Sequence, residues 1–348
     1  MSIRHDCIPL TSPDEWARAL DGIRHGPGHT WGHCLALSRS GDAPPRPAAS
    51  DIFLYRFTRR SIRIVCPILE RRFENAVDIC TPYGFSGFVG NGDCREFQHF
   101  WREFVAARGY TCGYIGLHPL FENRTYFDSA EVHEYNRLYF LDLTLSEAEL
   151  FANLSQNRRR DLRNLNSSSG LWDSDAAAKE FFLAHYAAHC DRKNVADAYR
   201  FSPETLAALL QQKNVFACGA PSQGHPDGNL EAAAIFSHTA AVADYLFGIA
   251  LPGCEHHASR LVWEGVRRLK ALGIPVLNLG GGVREDDGVA EFKRRFGAWT
   301  LPLRSLKQVY DDGAYDRFCR SKAVSPSDRA GYFPAFRQST GEEVPHVR

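Results

Sequence analysis

The chain has 348 residues, 44% hydrophobic and 24% charged, with 41 Lys+Arg against 41 Asp+Glu and a formal net charge of zero. That length exceeds the usual single core and predicts two domains. Zero net charge excludes a polycation that grips nucleic acid over its whole surface, and leaves room only for a local basic patch.

No apolar stretch is long enough to span a bilayer, and the polar N-terminus lacks a signal-peptide core, so the expected compartment is the cytoplasm. Ten cysteines are scattered without a CxxC pair, which predicts reduced, mostly buried thiols. Cys254, His256 and His257 have residue types suited to zinc, but no second paired cluster exists, so neither a metal nor a cofactor is expected. Arginine far outnumbers lysine, the first lysine being Lys179, which reads as compositional bias.

In chain order, Pro13 to Leu20 reads as a short helix, with Ser12 as cap and Glu15 three residues on. CLALSRS (34–40), DIFLYRF (51–57) and SIRIVCPILERRF (61–73) read as strands of one antiparallel sheet, the first two joined by the Pro- and Ala-rich loop 41–50. Glu96 to Arg108 is an amphipathic helix presenting Phe97, Phe100, Trp101, Phe104 and Val105 on one side. Tyr114 to Leu117 follows as a strand. Leu138 to Leu143 is a strand leading to a helix opened by a Ser146–Glu149 capping box. The helix is expected to continue through NLSQNRRRDLRNL (153–165), with Leu154, Leu162 and Leu165 inward.

Asp175 to Cys190 and Pro203 to Lys213, the latter capped by Ser202, are further helices. Val215 to Gly219, Ala232 to His238 and Ala241 to Ile249 read as antiparallel strands, with 222–229 as a hairpin turn. A helix from Arg260 places Leu261, Val262, Val266, Leu269 and Leu272 near helical spacing and ends at Gly273 in a left-handed cap. Val276 to Leu279 is a buried strand that stops at Gly280, Gly281 and Gly282, and the basic-aromatic run FKRRFG (292–297) comes next. Trp263 and Trp299 read as packing residues. Past Leu306 the pattern weakens, and 339–348 look frayed.

Four stretches carry a resemblance. TPYGFSGFVG (81–90), YIGLHPLF (114–121), the arginine-rich strand-helix segment 140–171 and the segment 245–299 occur in one order across about residues 50 to 310. Together they resemble the Fem-type peptidyltransferases, a tandem branch of the GNAT superfamily that attaches amino acids from aminoacyl-tRNA to amines. The resemblance implies an α+β fold of tandem GNAT-like acyltransferase domains, each a mixed, mostly antiparallel sheet flanked by helices. Residues 1–142 would form the first and 143–306 the second. In the family the final segment returns to the first domain, so 307–348 is allowed to complete it.

The resemblance also assigns roles. Lys293 matches the lysine of the family's Phe-Lys-x-x-Phe motif, which assists transfer from the tRNA ester, with Phe292 and Phe296 fixing its direction. The alternative is a solvated basic turn over two core phenylalanines. Gly280 and Gly281 let the backbone approach a ligand closely. Arg159 or Arg160 would meet phosphate or acidic groups, unless the helix is simply a surface helix salted by Asp161 and Arg163. His118 stands where the family has an Asp before Pro, as a base or substrate anchor, or else is structural. Tyr83, beside Gly84, would shape a cleft between the domains. Tyr245 and Phe247 would border the acyl-donor site, or pack in the core.

Ordinary GNAT enzymes cradle the pyrophosphate of acetyl-CoA on a glycine-rich loop at a helix start. Here that position reads LPGCEHHAS (251–259), with one glycine and a glutamate. The expected donor is therefore aminoacyl-tRNA, with FKRRFG, Arg267, Arg268 and Lys270 offering a patch for an acceptor stem. The acceptor stays open among an amine-bearing cell-wall peptide, a nucleotide-linked precursor and a small-molecule natural-product or polysaccharide intermediate. The alternatives are an acyl-CoA-dependent N-acetyltransferase acting on a sugar or small amine, and a non-catalytic binding subunit.

Overall fold

A computed structural model describes residues 3–39, 52–165, 175–222, 229–282, 287–327 and 331–338. The 41–50 loop, most of the 222–229 turn, the inward side chain expected at Leu165 and the tail at 339–348 lie outside what is described. The chain divides into two compact units, Met1–Asn136 with Pro302–Arg348, and Arg137–Leu301.

The first unit begins with β1 (Ile3–Pro9), α1 (Pro13–Leu20), α2 (Trp31–Ser38), β2 (Ile52–Arg59) and β3 (Ile62–Phe73). It continues with β4 (Ala76–Cys80), β5 (Val89–Gly90), α3 (Phe97–Ala107) and β6 (Cys112–Leu117). After β7 (Val132–Asp142) the second unit holds α4 (Glu147–Asn153), α5 (Gln156–Leu165), α6 (Asp175–Arg192), α7 (Pro203–Leu210), β8 (Val215–Pro221) and β9 (Leu230–His238). β10 (Ala243–Ala250), α8 (Ala258–Ala271), β11 (Val276–Gly281) and α9 (Gly288–Arg294) complete it. β12 (Trp299–Val309) and α10 (Asp312–Ser321) follow.

Both units use one plan. In the first, strands order β1-β2-β3-β4-β6-β12, antiparallel except for β4 beside β6. In the second the order is β8-β9-β10-β11-β7, antiparallel except for β10 beside β11. Each parallel pair needs a crossover, supplied by α3 and α8 respectively. The mixed, mostly antiparallel sheet flanked by helices is thus built twice.

Packing follows the strand period of two. On β9, Ala232, Ala234 and Phe236 face the core that α8 fills with Leu261, Val262, Val266 and Leu269. Ala233 and Ile235 face the opposite core with Ala178, Phe182, Tyr186 and Cys190 of α6. The close approach of α8 depends on Gly265, where a Cβ would lie 2.2 Å from the Phe236 ring. In the first unit Phe97, Trp101 and Val105 of α3 pack on Tyr55, Phe57 and Phe88.

The Ser146–Glu149 capping box forms as expected, and Gly273 ends α8 at φ +72°. Several expectations need correction. CLALS (34–38) is helical: it is the body of α2, whose cap Thr30 accepts the His33 N–H, and its Leu and Ala residues favour a helix once capped. Ser12 occupies the N-cap of α1 without a side-chain hydrogen bond, and Glu15 instead pairs with Arg56. The arginine-rich helix breaks at Leu154 and Ser155, separating α4 from α5. Trp299 is 40% exposed, with its ring tilted against Phe140 at 5.0 Å between centres. β1 and α10 had no counterpart in the sequence reading.

All ten cysteines are free thiols. Among the described residues no helix is long and apolar enough to cross a membrane, and no cluster of three or more His, Cys, Asp or Glu could hold a metal ion.

Candidate functional site

The parallel strands β10 and β11 share only two register pairs among the described residues, Ala243 with Leu277 and Asp244 with Asn278. Beyond them no β10–β11 pair follows among the described residues, while β10 shifts register against β9 between Tyr245 and Phe247 and β11 against β7 between Asn278 and Gly281. Strands that part in this way leave backbone donors and acceptors open to an extended ligand. At the end of β11, Gly280 takes φ +78°, a conformation costly for residues with a side chain. A Cβ there would stand 3.2 Å from Lys293 Nζ, so glycine also leaves room for the ammonium. Lys293 is 7% exposed, and its Nζ donates to the Gly281 carbonyl.

Lys293 is carried on α9, whose cap Asp287 accepts the Ala290 N–H at 2.7 Å. The next turn is pinned by Arg158 of α5. Its guanidinium lies 4.7 Å from the ring centres of both Phe292 and Phe296, and Nη2 reaches the Phe292 carbonyl at 3.5 Å. Arg158 is 8% exposed, its Nε has no partner, and burial holds its pKa below the usual guanidinium range. A buried cation held by two aromatic faces and one long hydrogen bond is uncommon, because desolvation of a charge is normally offset by a carboxylate.

Asp244 and Asn278 sit at the fork, 3% and 0% exposed. Burial pushes the Asp244 carboxyl up to about 7, against the pull of its 2.9 Å hydrogen bond from Asn278 Nδ2.

The loop before α8 is closed by the chain's own carboxylate. Glu231 accepts Ser222 Oγ at 2.8 Å and lies 3.0 Å from Nε2 of His257, the N-cap of α8. These two hydrogen bonds hold the Glu231 carboxyl below its usual range.

The corresponding fork of the first unit is filled. β4 and β6 share the pairs Ile79 with Gly113 and Cys80 with Tyr114, and the 81–87 turn then folds onto β6. Thr81 N–H donates to the Tyr114 carbonyl at 3.0 Å, and Thr81 Oγ1 accepts the Gly116 N–H at 3.1 Å. A Cβ on Gly87 would lie 2.1 Å from the Gly116 carbonyl oxygen. His118 follows β6 and is buried against Phe85 and Phe121. Its Nδ1 accepts the Leu120 N–H, which places the proton on Nε2, and Nε2 has no partner. Burial drives its pKa down to about 3. The ring is therefore neutral near pH 7, with its acceptor nitrogen already engaged.

No known family and no curated protein matches this sequence. Solved structures do. FemX superposes with a TM-score of 0.58 at 9% identity, over 82% of this chain and 97% of FemX. The chain has the fold of FemX. The same fold is shared with L-PGS from Bacillus licheniformis (TM-score 0.52, 11% identity, 86% of this chain and 92% of that one). It is also shared with the C-terminal domain of a putative lysylphosphatidylglycerol synthetase from Agrobacterium fabrum (TM-score 0.51, 15% identity, 91% and 99%).

Within the second unit of this fold, Lys293, Gly280 and Gly281 come together at the end of β11, whereas the Phe292 ring packs with Phe296 and Arg158. Arg159 does not join them: its Nη1 donates to the Ala152 carbonyl at 2.7 Å, and Arg160 is exposed. Arg158 is the arginine of this helix that reaches the FKRRF turn. The signal was present, since Arg158 lies four residues before Leu162 on the buried face of α5. Tyr245 packs on Phe236, and Phe247 on Phe182, Tyr186 and Phe201, so both serve the cores on either side of β10. The Tyr83 carbonyl is 2.7 Å from His33 Nε2 and holds the first unit's own loop. The patch expected on α8 is tied into the fold: Arg267 pairs with Glu147, Lys270 donates to the Leu143 carbonyl, and Arg268 covers the Phe216 ring. Asp244 and Asn278, lone polar residues in otherwise apolar strands, were missed.

Proposed function

We propose that the chain is an N-acyltransferase that moves an amino acid from aminoacyl-tRNA to an amine, with the reacting ester held at the β10–β11 fork. The observation that carries this reading is the end of β10–β11 pairing at Asp244–Asn278 with Lys293 Nζ against the Gly280–Gly281 turn just beyond it. The first unit's fork is filled by its own 81–87 turn, which supports one donor site per chain. The fold shared with FemX, with L-PGS and with the C-terminal domain of a protein named as a putative lysylphosphatidylglycerol synthetase supports transferase chemistry.

In this reading the acceptor amine nitrogen bonds to the ester carbonyl carbon, and the developing oxyanion meets the Lys293 ammonium. Collapse breaks the bond to the ribose oxygen. That oxygen leaves with a proton, which balances the one the amine gives up. Arg158, whose Nε has no hydrogen bond among the described residues, takes an anionic group of the donor, and two aromatic faces hold its fork in place. His118 acts as a neutral N–H donor in the first unit. A peptide, nucleotide-linked or small-molecule amine serves as acceptor.

Glu231 at the start of α8 favours tRNA over CoA as donor. A pyrophosphate placed there would face a carboxylate instead of free backbone N–H groups. The test is transfer itself. Incubating the protein with radiolabelled aminoacyl-tRNA and a panel of amines should release tRNA and yield a labelled, base-stable amide. Label that stays on tRNA across peptide, nucleotide-linked and small-molecule amines would overturn the proposal.

A further inference from the structure

Asp244 and Asn278 are the last register pair before β10 and β11 part. The Asn278 amide is engaged at both ends: Nδ2 donates to Asp244 Oδ1 at 2.9 Å, and Oδ1 accepts the Gly280 N–H at 2.8 Å. Gly280 adopts its left-handed conformation at that hydrogen bond, and the Gly281 carbonyl next to it receives Lys293 Nζ. An unbroken line of contacts therefore runs from the Asp244 carboxyl to the Lys293 ammonium.

The line has a direction. An amide side chain presents its donor on one side and its acceptor on the other. With the Asp244 oxygen as acceptor, Nδ2 must face Asp244, and Oδ1 is left for Gly280. The opposite rotamer would set Nδ2 against the Gly280 N–H, two donors facing each other in a buried site, which is strongly disfavoured.

We infer that Asp244 is a positioning residue for Lys293: through Asn278 it fixes the Gly280–Gly281 turn on which the ammonium rests. Its functional meaning rests on the proposed placement of Lys293 at the reacting carbonyl, but the coupling itself does not. The register partners of Asp244 are Ser237 on β9 and Asn278 on β11, neither titratable. Burial and the Asn278 hydrogen bond are the influences acting on the carboxyl, with no charged side chain among them.

The test is competitive labelling with trace acetic anhydride, followed by mass spectrometry of the Lys293 peptide and normalised to the exposed Lys213. Across about pH 5.5 to 9 the wild-type protein should show the titration of Lys293 itself plus a separate inflection near neutrality. The ionised Asp244 carboxylate slows labelling there by about twofold, equivalent to about a third of a pK unit on Lys293. Asp244→Asn keeps the shape and the acceptor oxygen yet cannot ionise, so this inflection should vanish while the melting temperature does not fall. Asn278→Ser removes the relay and should abolish it as well, and serves if Asp244→Asn folds poorly.

An inflection that survives in either folded variant would overturn the positioning role and leave Asp244 a packing residue. A Lys293→Met protein with normal turnover would instead remove Lys293 from the chemistry while the labelling coupling stood.

Discussion

Asp244→Asn should also make the protein more stable at neutral and alkaline pH. In the folded chain this carboxyl titrates at about 7, against an ordinary 3.8, because it is buried with one amide and no cation. Between those values the folded chain keeps a proton that the unfolded chain has released. Wild-type stability should therefore fall as pH rises through this window, by about 1.4 kcal/mol per pH unit, for a total on the order of 4 kcal/mol above pH 7. At and below an ordinary carboxyl pKa this contribution disappears. Asparagine carries no ionisable proton, and its Oδ1 can still accept the Asn278 N–H. The variant should match wild type near about pH 4 and gain stability progressively up to about pH 7, then hold that gain. Urea melts of both proteins at a series of pH values give the difference directly. A difference that does not change with pH, or one in which wild type gains as pH rises, would refute the reasoning.

Lys293→Met should leave the melting temperature nearly unchanged and lower transfer by more than about tenfold, roughly 1.4 kcal/mol in the barrier, measured as kcat on aminoacyl-tRNA. Arg158→Met fits the slot between Phe292 and Phe296 and removes a buried cation held there by two rings and one long hydrogen bond. Its melt should shift by less than about 1 kcal/mol, while donor affinity drops by about tenfold or more in a filter-binding titration, the loss of one charge-assisted hydrogen bond. His118→Asn should leave any acid limb of the rate profile between about pH 5 and 7 in place, because the imidazole titrates near 3. The same depressed pKa means that wild-type stability is lost as pH falls below about 6.5, where the unfolded chain takes up a proton that the folded one refuses. Gly297→Ala should destabilise the second unit by more than about 1 kcal/mol in a thermal melt, since φ is +75° and a Cβ would lie 2.6 Å from the Asn153 carbonyl oxygen.

Much of this fold is readable along the chain where local signals agree. The α8–β11 crossover announces itself by a helical stripe, a capping glycine and an apolar run, and the capping box at Ser146 marks α4. CLALSRS misleads because a short run of Leu, Ala and Cys suits a strand or a helix equally, and the Thr30 cap lies outside the run itself. β1 is an edge strand whose only fully buried side chain is Ile8, so its identity comes from pairing with β2, distant in sequence. α10 was legible and missed: Tyr315, Phe318 and Cys319 form a buried stripe behind the Asp311 cap. Lys293 and the glycines are visible as a motif, and Arg158 as a break in an apolar stripe. The pairing of Asp244 with Asn278 is not visible, because it depends on the register of two parallel strands joined by a helix.

The proposed donor is tested most directly by the thermal stability of the purified protein with acetyl-CoA and, separately, with a non-hydrolysable aminoacyl-tRNA mimic. A ligand present at about a hundred times its dissociation constant adds roughly 2.7 kcal/mol, enough to show as a shift in melting temperature. The account predicts stabilisation by the tRNA mimic and none by acetyl-CoA. Stabilisation by acetyl-CoA alone would contradict it, and would mean that the Glu231-closed loop before α8 opens to receive a pyrophosphate.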